Sequence, residues 1–173
     1  PYASVSLRIP VNISKELTAT AEENEITLSW DVEPTLSRVD NTQSNYREVK
    51  HDGAPRMEYA CRYRVHELAP YKGYKVRYIN FVPYLAKSEA DYIIRVYEAD
   101  PGGTNPVCVS ERKCKELGTR IWNRVLLTKT VEITGEKEIW IAVEMTSNLG
   151  TVVTLTDFEK PIAGLGNWAN IDG

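Results

Sequence analysis

Hydrolytic or metal chemistry would have to start from histidines, cysteines and carboxylates, and this chain arranges few of them usefully. Its two histidines are His51 and His66. His51-Asp52-Gly53 sets an imidazole beside a carboxylate, a pairing seen in metal-dependent hydrolases. A zinc-type centre needs further ligands at set spacings. With only His66 left, a multi-histidine site cannot be assembled, and a turn with a solvated imidazole accounts for the tripeptide. A Cys61–His66 couple would join a strand to the turn after it, and a thiol in an apolar row is expected to be buried and unactivated. Serine triads are recognised by geometry, and no Gly-x-Ser-x-Gly elbow marks a nucleophile. Glu58, Glu67, Glu98, Glu144, Asp157 and Glu159 could supply the two carboxylates of glycoside hydrolysis, about 5 to 10 Å apart. None sits in a motif. Glu144 has the best claim, because it lies in the most apolar run. The chain therefore reads as non-catalytic.

Binding is better served. The chain carries 10 Tyr and 4 Trp against 2 Phe, and Tyr and Trp join an apolar body to a polar tip. Trp122, Trp140 and Trp168 could stack on sugar rings. Trp30 and Trp140 lie on strand rows, which predicts that they belong to the core. Trp168, in a Gly- and Asn-rich stretch, is the best exposed platform. Tyr71 and Tyr74 flank Gly73 and are expected to staple a short helix to a sheet. Trp168, Tyr71 and Trp122 are the candidate ligand-binding residues.

The elements that must hold these residues are strands. Ile26, Leu28 and Trp30 alternate with polar residues. So do Met57, Tyr59, Cys61, Tyr63 and Val65, against Glu58, Arg62 and Arg64. Tyr74, Val76, Tyr78 and Asn80 form another row. Further rows are Tyr92, Ile94 and Val96, then Ile121, Asn123, Val125 and Leu127, then Ile139, Ile141, Val143 and Met145. Thr151 to Leu155 is a short β-branched run. Period-two alternation marks half-buried strands, and half-buried strands belong to antiparallel sheets. Asp52-Gly53, Lys72-Gly73, Asp100-Pro101-Gly102-Gly103, Thr134-Gly135 and Asn148-Leu149-Gly150 are turn sequences between the runs. One short helix fits, over Val65 to Tyr71. Without crossover helices a parallel α/β sheet has no means of connection. The pattern predicts an all-β fold, an antiparallel β-sandwich of jelly-roll type.

At 173 residues and 19.6 kDa the chain is long enough for one well-buried core. Its formal charge of −3 lacks the basic stripe of a nucleic-acid binder. No stretch approaches the roughly 20 apolar residues of a membrane-spanning helix, and no signal peptide is visible. Of the three cysteines, Cys108 and Cys114 would meet at bonding distance if the residues between them formed a hairpin loop. Otherwise they are two thiols. Cys61 reads as a small buried hydrophobe.

Two stretches carry a resemblance. Leu17 to Asp31, LTATAEENEITLSWD, resembles the first strands of a fibronectin type III-like module. Leu68-Ala-Pro-Tyr-Lys-Gly-Tyr74 with Val76 to Pro83 is similar to a motif of Bacteroides-type surface proteins. Asp91 to Tyr97, Trp122 to Leu127 and Glu138 to Glu144 follow in the same order. Together they resemble the cleaved-adhesin, or gingipain-adhesin, β-sandwich. The resemblance implies a partial fibronectin-like opening segment over residues 1–33, a linker or long loop over 34–56, and an adhesin-like sandwich over 57–173. It further implies an extracellular or cell-surface module that binds carbohydrate or a surface protein, beside neighbouring domains of a larger chain. A spacer with no ligand of its own is the alternative. Such domains often hold structural Ca2+ through loop oxygens, for which Asp100, Asp157 and Asp172 are the candidates here.

Overall fold

The computed structural model describes residues 18–22, 25–29, 46–157 and 168–171. The chain divides into two compact units, Pro1–Ser37 and Arg38–Gly173. In the first, β1 (Thr18–Glu22) and β2 (Glu25–Ser29) form an antiparallel ribbon.

The second unit is an all-β sandwich of antiparallel sheets. It contains β3 (Tyr46–Asp52), β4 (Arg56–Tyr63), β5 (Lys75–Phe81), β6 (Ala90–Asp100), β7 (Thr104–Cys114), β8 (Asn123–Glu132), β9 (Glu138–Ser147), β10 (Thr151–Asp157) and β11 (Trp168–Ile171). The main sheet has the order β11-β4-β9-β6-β7, and β5-β8 and β10-β3 are two-stranded. Among the described residues no helix is long and apolar enough to cross a membrane.

Alternation decides which face of the main sheet is apolar. Register aligns Tyr59, Val143 and Ile94 across three strands, and Cys61, Ile141 and Val96 beside them. Ile94 and Val96 are wholly buried. Phe81 of β5 packs on Tyr92 of β6, with ring centroids 6.0 Å apart, so β5 lies against this face. Leu127, Val131 and Ile133 are buried with it. The buried Tyr92 hydroxyl keeps both hydrogen-bond roles: it donates to the Leu85 carbonyl at 2.9 Å and accepts from the Leu85 N–H at 3.1 Å. Its pKa is pushed up to about 12, chiefly by burial.

The helix falls where the sequence placed it. α1 spans Val65–Leu68 and continues as a 3-10 turn over Ala69–Tyr71. Glu67 accepts a hydrogen bond from the Arg64 N–H at 2.8 Å, which closes the first turn. Leu68 is fully buried.

Three local expectations need revision. Part of the stretch 34–56, read as linker, is a strand: β3 pairs with β10 from Tyr46–Asp157 to Asp52–Thr151. Its polar sequence hid it. The row Tyr74, Val76, Tyr78, Asn80 does not persist, because a bulge between Val76 and Tyr78 shifts the register. Beyond the bulge Ile79 and Phe81 face inward, while Asn80 is exposed. Finally, Cys108 and Cys114 are not in a hairpin loop but on one strand, β7. At about 3.3 Å per residue their α-carbons lie roughly 20 Å apart, beyond disulfide reach. None of the three cysteines is bridged.

Two outcomes follow. Ile94→Ala, in the middle of the main sheet, is expected to cost about 2–5 kcal/mol, measured as a fall in the urea midpoint. Alkylation of the unfolded chain without reductant is expected to modify all three cysteines; a chain protected at two of them would contradict this arrangement.

Candidate functional site

The opposite face of the main sheet is built from cross-strand rows. Antiparallel register sets Glu58 opposite Glu144, Ala60 opposite Ala142, and Arg62 opposite Trp140. On the other side of β9, Ala142 faces Arg95 and Trp140 faces Tyr97. An acidic row and an aromatic row thus flank a row of alanines. Paired residues of an antiparallel sheet point to the same side, so the short alanines leave a trough between their larger neighbours. The resulting groove has a volume of about 310 Å³. It is lined by the half-buried Ala60 and the buried Ala142, by Trp140 and Tyr97 on the aromatic side, and by Glu58 and Asn170, with the Tyr97 hydroxyl reaching Glu58.

Charge organises the acidic side. Two carboxylates directly opposite each other repel, and Arg95 resolves this. It donates to Glu144 at 2.6 Å, to Glu58 at 3.1 Å and to Glu111 at 2.7 Å. Arg56 adds a second donor to Glu144 at 2.7 Å. Arg56 hydrogen bonding, together with Arg95, holds the Glu144 carboxyl below its ordinary 4.5, against the opposing effect of burial. Burial acts against the Arg95 charge as well, but the bonds to Glu144, Glu111 and Glu58 outweigh it and raise its pKa. The Tyr97 hydroxyl donates to Glu58 at 2.9 Å. Burial first, then Glu58, pushes that phenol up to about 12.

The aromatic wall is fixed from behind. Arg62 grips Glu138 with two bonds of 2.6 and 2.7 Å, and the Gly102 N–H donates to the same carboxylate at 3.0 Å. Burial would raise the Glu138 pKa, but these bonds hold it below 4.5. The Arg62 guanidinium lies 5.4 Å from the Trp140 ring centre, within cation–π range. Gly103, at φ +77°, closes over the same indole: a β-carbon there would sit 2.8 Å from Trp140 Cζ2. Only glycine admits this approach of backbone to ring.

The candidates from sequence scatter. Trp122 is exposed, just before β8, in a loop that Asn123 ties to Gly118 and Ile121. Tyr71 packs edge-on against Tyr74, 6.2 Å between centroids, and Tyr74 is itself exposed. Neither lines the groove. Trp168 begins β11 and pairs through its backbone with Ala60 of the groove floor. Asp100 ends β6 and is engaged by Lys137 and by Asn105 at 2.9 Å. Asp157 ends β10, paired with Tyr46, whereas Asp172 and Glu159 lie outside the described residues. Among the described residues no three His, Cys, Asp or Glu side chains gather as a metal site. His51 is on β3, and His66 is exposed on α1. Sequence reasoning placed Trp140 in the core and passed over Tyr97, Ala60 and Ala142. Only the strand register could have joined them, although Trp140-x-Ala142-x-Glu144 and Glu58-x-Ala60-x-Arg62 share a large–small–large rhythm.

No protein-family model, curated protein or solved structure matches the chain.

Arg95→Met removes the one guanidinium shared by three carboxylates. It is expected to cost about 3–5 kcal/mol, read from urea unfolding at neutral pH. The depressed Glu144 and Glu138 make a pH signature. A carboxyl with a lowered folded-state pKa contributes stability above its unfolded value and loses it as pH falls through the folded one. The urea midpoint is therefore expected to drop as pH falls below 4.5, and to drop less steeply in Arg95→Met.

Proposed function

We propose that the chain is a non-catalytic extracellular binding module, a jelly-roll-type sandwich whose sheet-face groove takes a carbohydrate. One observation carries this reading: a row of two alanines runs between an aromatic wall and a carboxylate wall. A sugar ring has an apolar face of C–H groups and an equatorial belt of hydroxyls. Trp140 and Tyr97 suit the first. Glu58, held in place by Arg95 and Tyr97, suits the second as an acceptor. The groove volume of about 310 Å³ is at the small end of ligand sites, about 300–1,000 Å³. A protein partner would more typically cover about 800 Å² of each surface.

Glu144, the carboxylate with the best catalytic claim, is held by Arg56 and Arg95 and does not line the groove. A general acid needs a raised pKa, and the two arginines hold this one down. Trp168, whose backbone flanks Ala60, is the candidate for a second aromatic platform. The resemblance to surface adhesin sandwiches agrees with a glycan ligand and with an extracellular setting.

The test is a glycan array probed with the wild-type chain, with and without Ca2+, beside Trp140→Ala and Tyr97→Phe. Wild type is expected to bind a defined set of glycans. Trp140→Ala is expected to lower that binding about tenfold or more, an affinity loss of about 1.4 kcal/mol. Tyr97→Phe keeps the ring and shows whether the loss follows the aromatic wall rather than a folding defect. Silence of the wild type under both conditions would favour a spacer domain instead.

A further inference from the structure

The charges around the groove restrict which sugar can occupy it. Four carboxylates, Glu58, Glu111, Glu138 and Glu144, meet three guanidiniums, Arg56, Arg62 and Arg95, across this face. Each guanidinium is spent on a carboxylate. Of these seven groups only Glu58 lines the groove, and among the described residues no lysine or arginine does. An acidic ligand group would therefore meet the Glu58 carboxylate, while the two nearby guanidiniums, Arg62 and Arg95, are already paired with carboxylates. A cationic group fares differently but no better. An aromatic wall beside a carboxylate would ordinarily suit an ammonium. Here Arg62 already lies over Trp140 at 5.4 Å, and its positive charge opposes a second cation at the same ring. Glu58 is in turn already compensated by Arg95 at 3.1 Å.

We infer that the groove selects an uncharged sugar and turns away both acidic sugars and sugars carrying a free, cationic amine. This rests on the carbohydrate reading above and names the chemistry within it. Glu58 accepts hydroxyl hydrogen bonds through its carboxylate while Arg95 and Tyr97 hold it still. The neutral C–H face lies against Trp140.

Titration calorimetry with three probes of matched length tests this: oligomers of N-acetylglucosamine, of glucosamine and of galacturonic acid. The neutral oligomer is expected to bind at least about tenfold more tightly than either charged one. Glu58→Gln is the informative variant, because its amide oxygen still accepts from Arg95 and Tyr97 while the charge is gone. It is expected to raise affinity for the galacturonic acid oligomer relative to the neutral one several-fold, because the acidic oligomer is relieved of a like charge while the neutral one loses a carboxylate acceptor. Tighter binding of a charged oligomer than of the neutral one would overturn the inference and leave the carbohydrate reading standing. Binding of neither neutral nor charged oligomers, in a chain that also ignores the glycan array, would remove both.

Discussion

One guanidinium holds the polar face of this sheet together. Pairing β4 with β9 in the observed register puts Glu58 directly opposite Glu144, an arrangement that by itself opposes the pairing. Arg95, projecting from the neighbouring β6, enters between them and reaches Glu111 on β7 as well. It thereby links four adjacent strands of the sheet. Its side chain is only 16% exposed, so the contacts are screened far less than surface ion pairs. Removing either partner would leave a charge that has lost both its water and its counter-charge.

The groove is a consequence of where small residues fall relative to this network. Ala60 and Ala142 are adjacent across the strand pair, and Arg95 continues their row on β6. Had Arg95 lain flat along that row it would have filled the trough. Its three carboxylate partners draw the guanidinium toward the acidic side instead, and Ala60 stays half-buried while Ala142 is buried. On the other side the Arg62–Glu138 pair and the Gly102–Gly103 turn hold Trp140 upright. Walls and floor thus have separate causes: ion pairing fixes the walls, and side-chain size sets the floor.

The sequence revealed the strands that bury an apolar row and missed those that do not. β6 and β9 alternate strongly because one face of each is core, and their inward residues were readable one by one. β7 was not, since most of it is exposed, with Pro106, the exposed Val107 and Glu111-Arg112-Lys113 in place of an alternating apolar row. Such residues are how an edge strand discourages further pairing, and they also erase the alternation that would identify it. β3 was obscured in the same way. The site was harder still. Trp140, Glu58 and Glu144 are each visible as residue types, but what joins them is register between strands far apart in sequence. Alternation gives a residue's face and not its cross-strand neighbour. Trp140 lies on a strand row, which predicts a place in the core, yet it is half-buried and lines the groove.

A purely structural account of this face leaves a cost unexplained. Buried ion pairs are replaceable by apolar side chains of similar volume with little or no loss of stability. A sheet selected for stability alone would do as well with leucine and methionine at Arg95, Glu144 and Glu58. Long flexible hydrophobes, however, would fold across Ala60 and Ala142 to bury themselves, and the trough would close. Paired charges cannot relax that way, because each guanidinium is tied to fixed oxygen atoms. The polar network therefore makes physical sense as the means of keeping a small, rigid concavity open on a surface that hydrophobic collapse would otherwise fill.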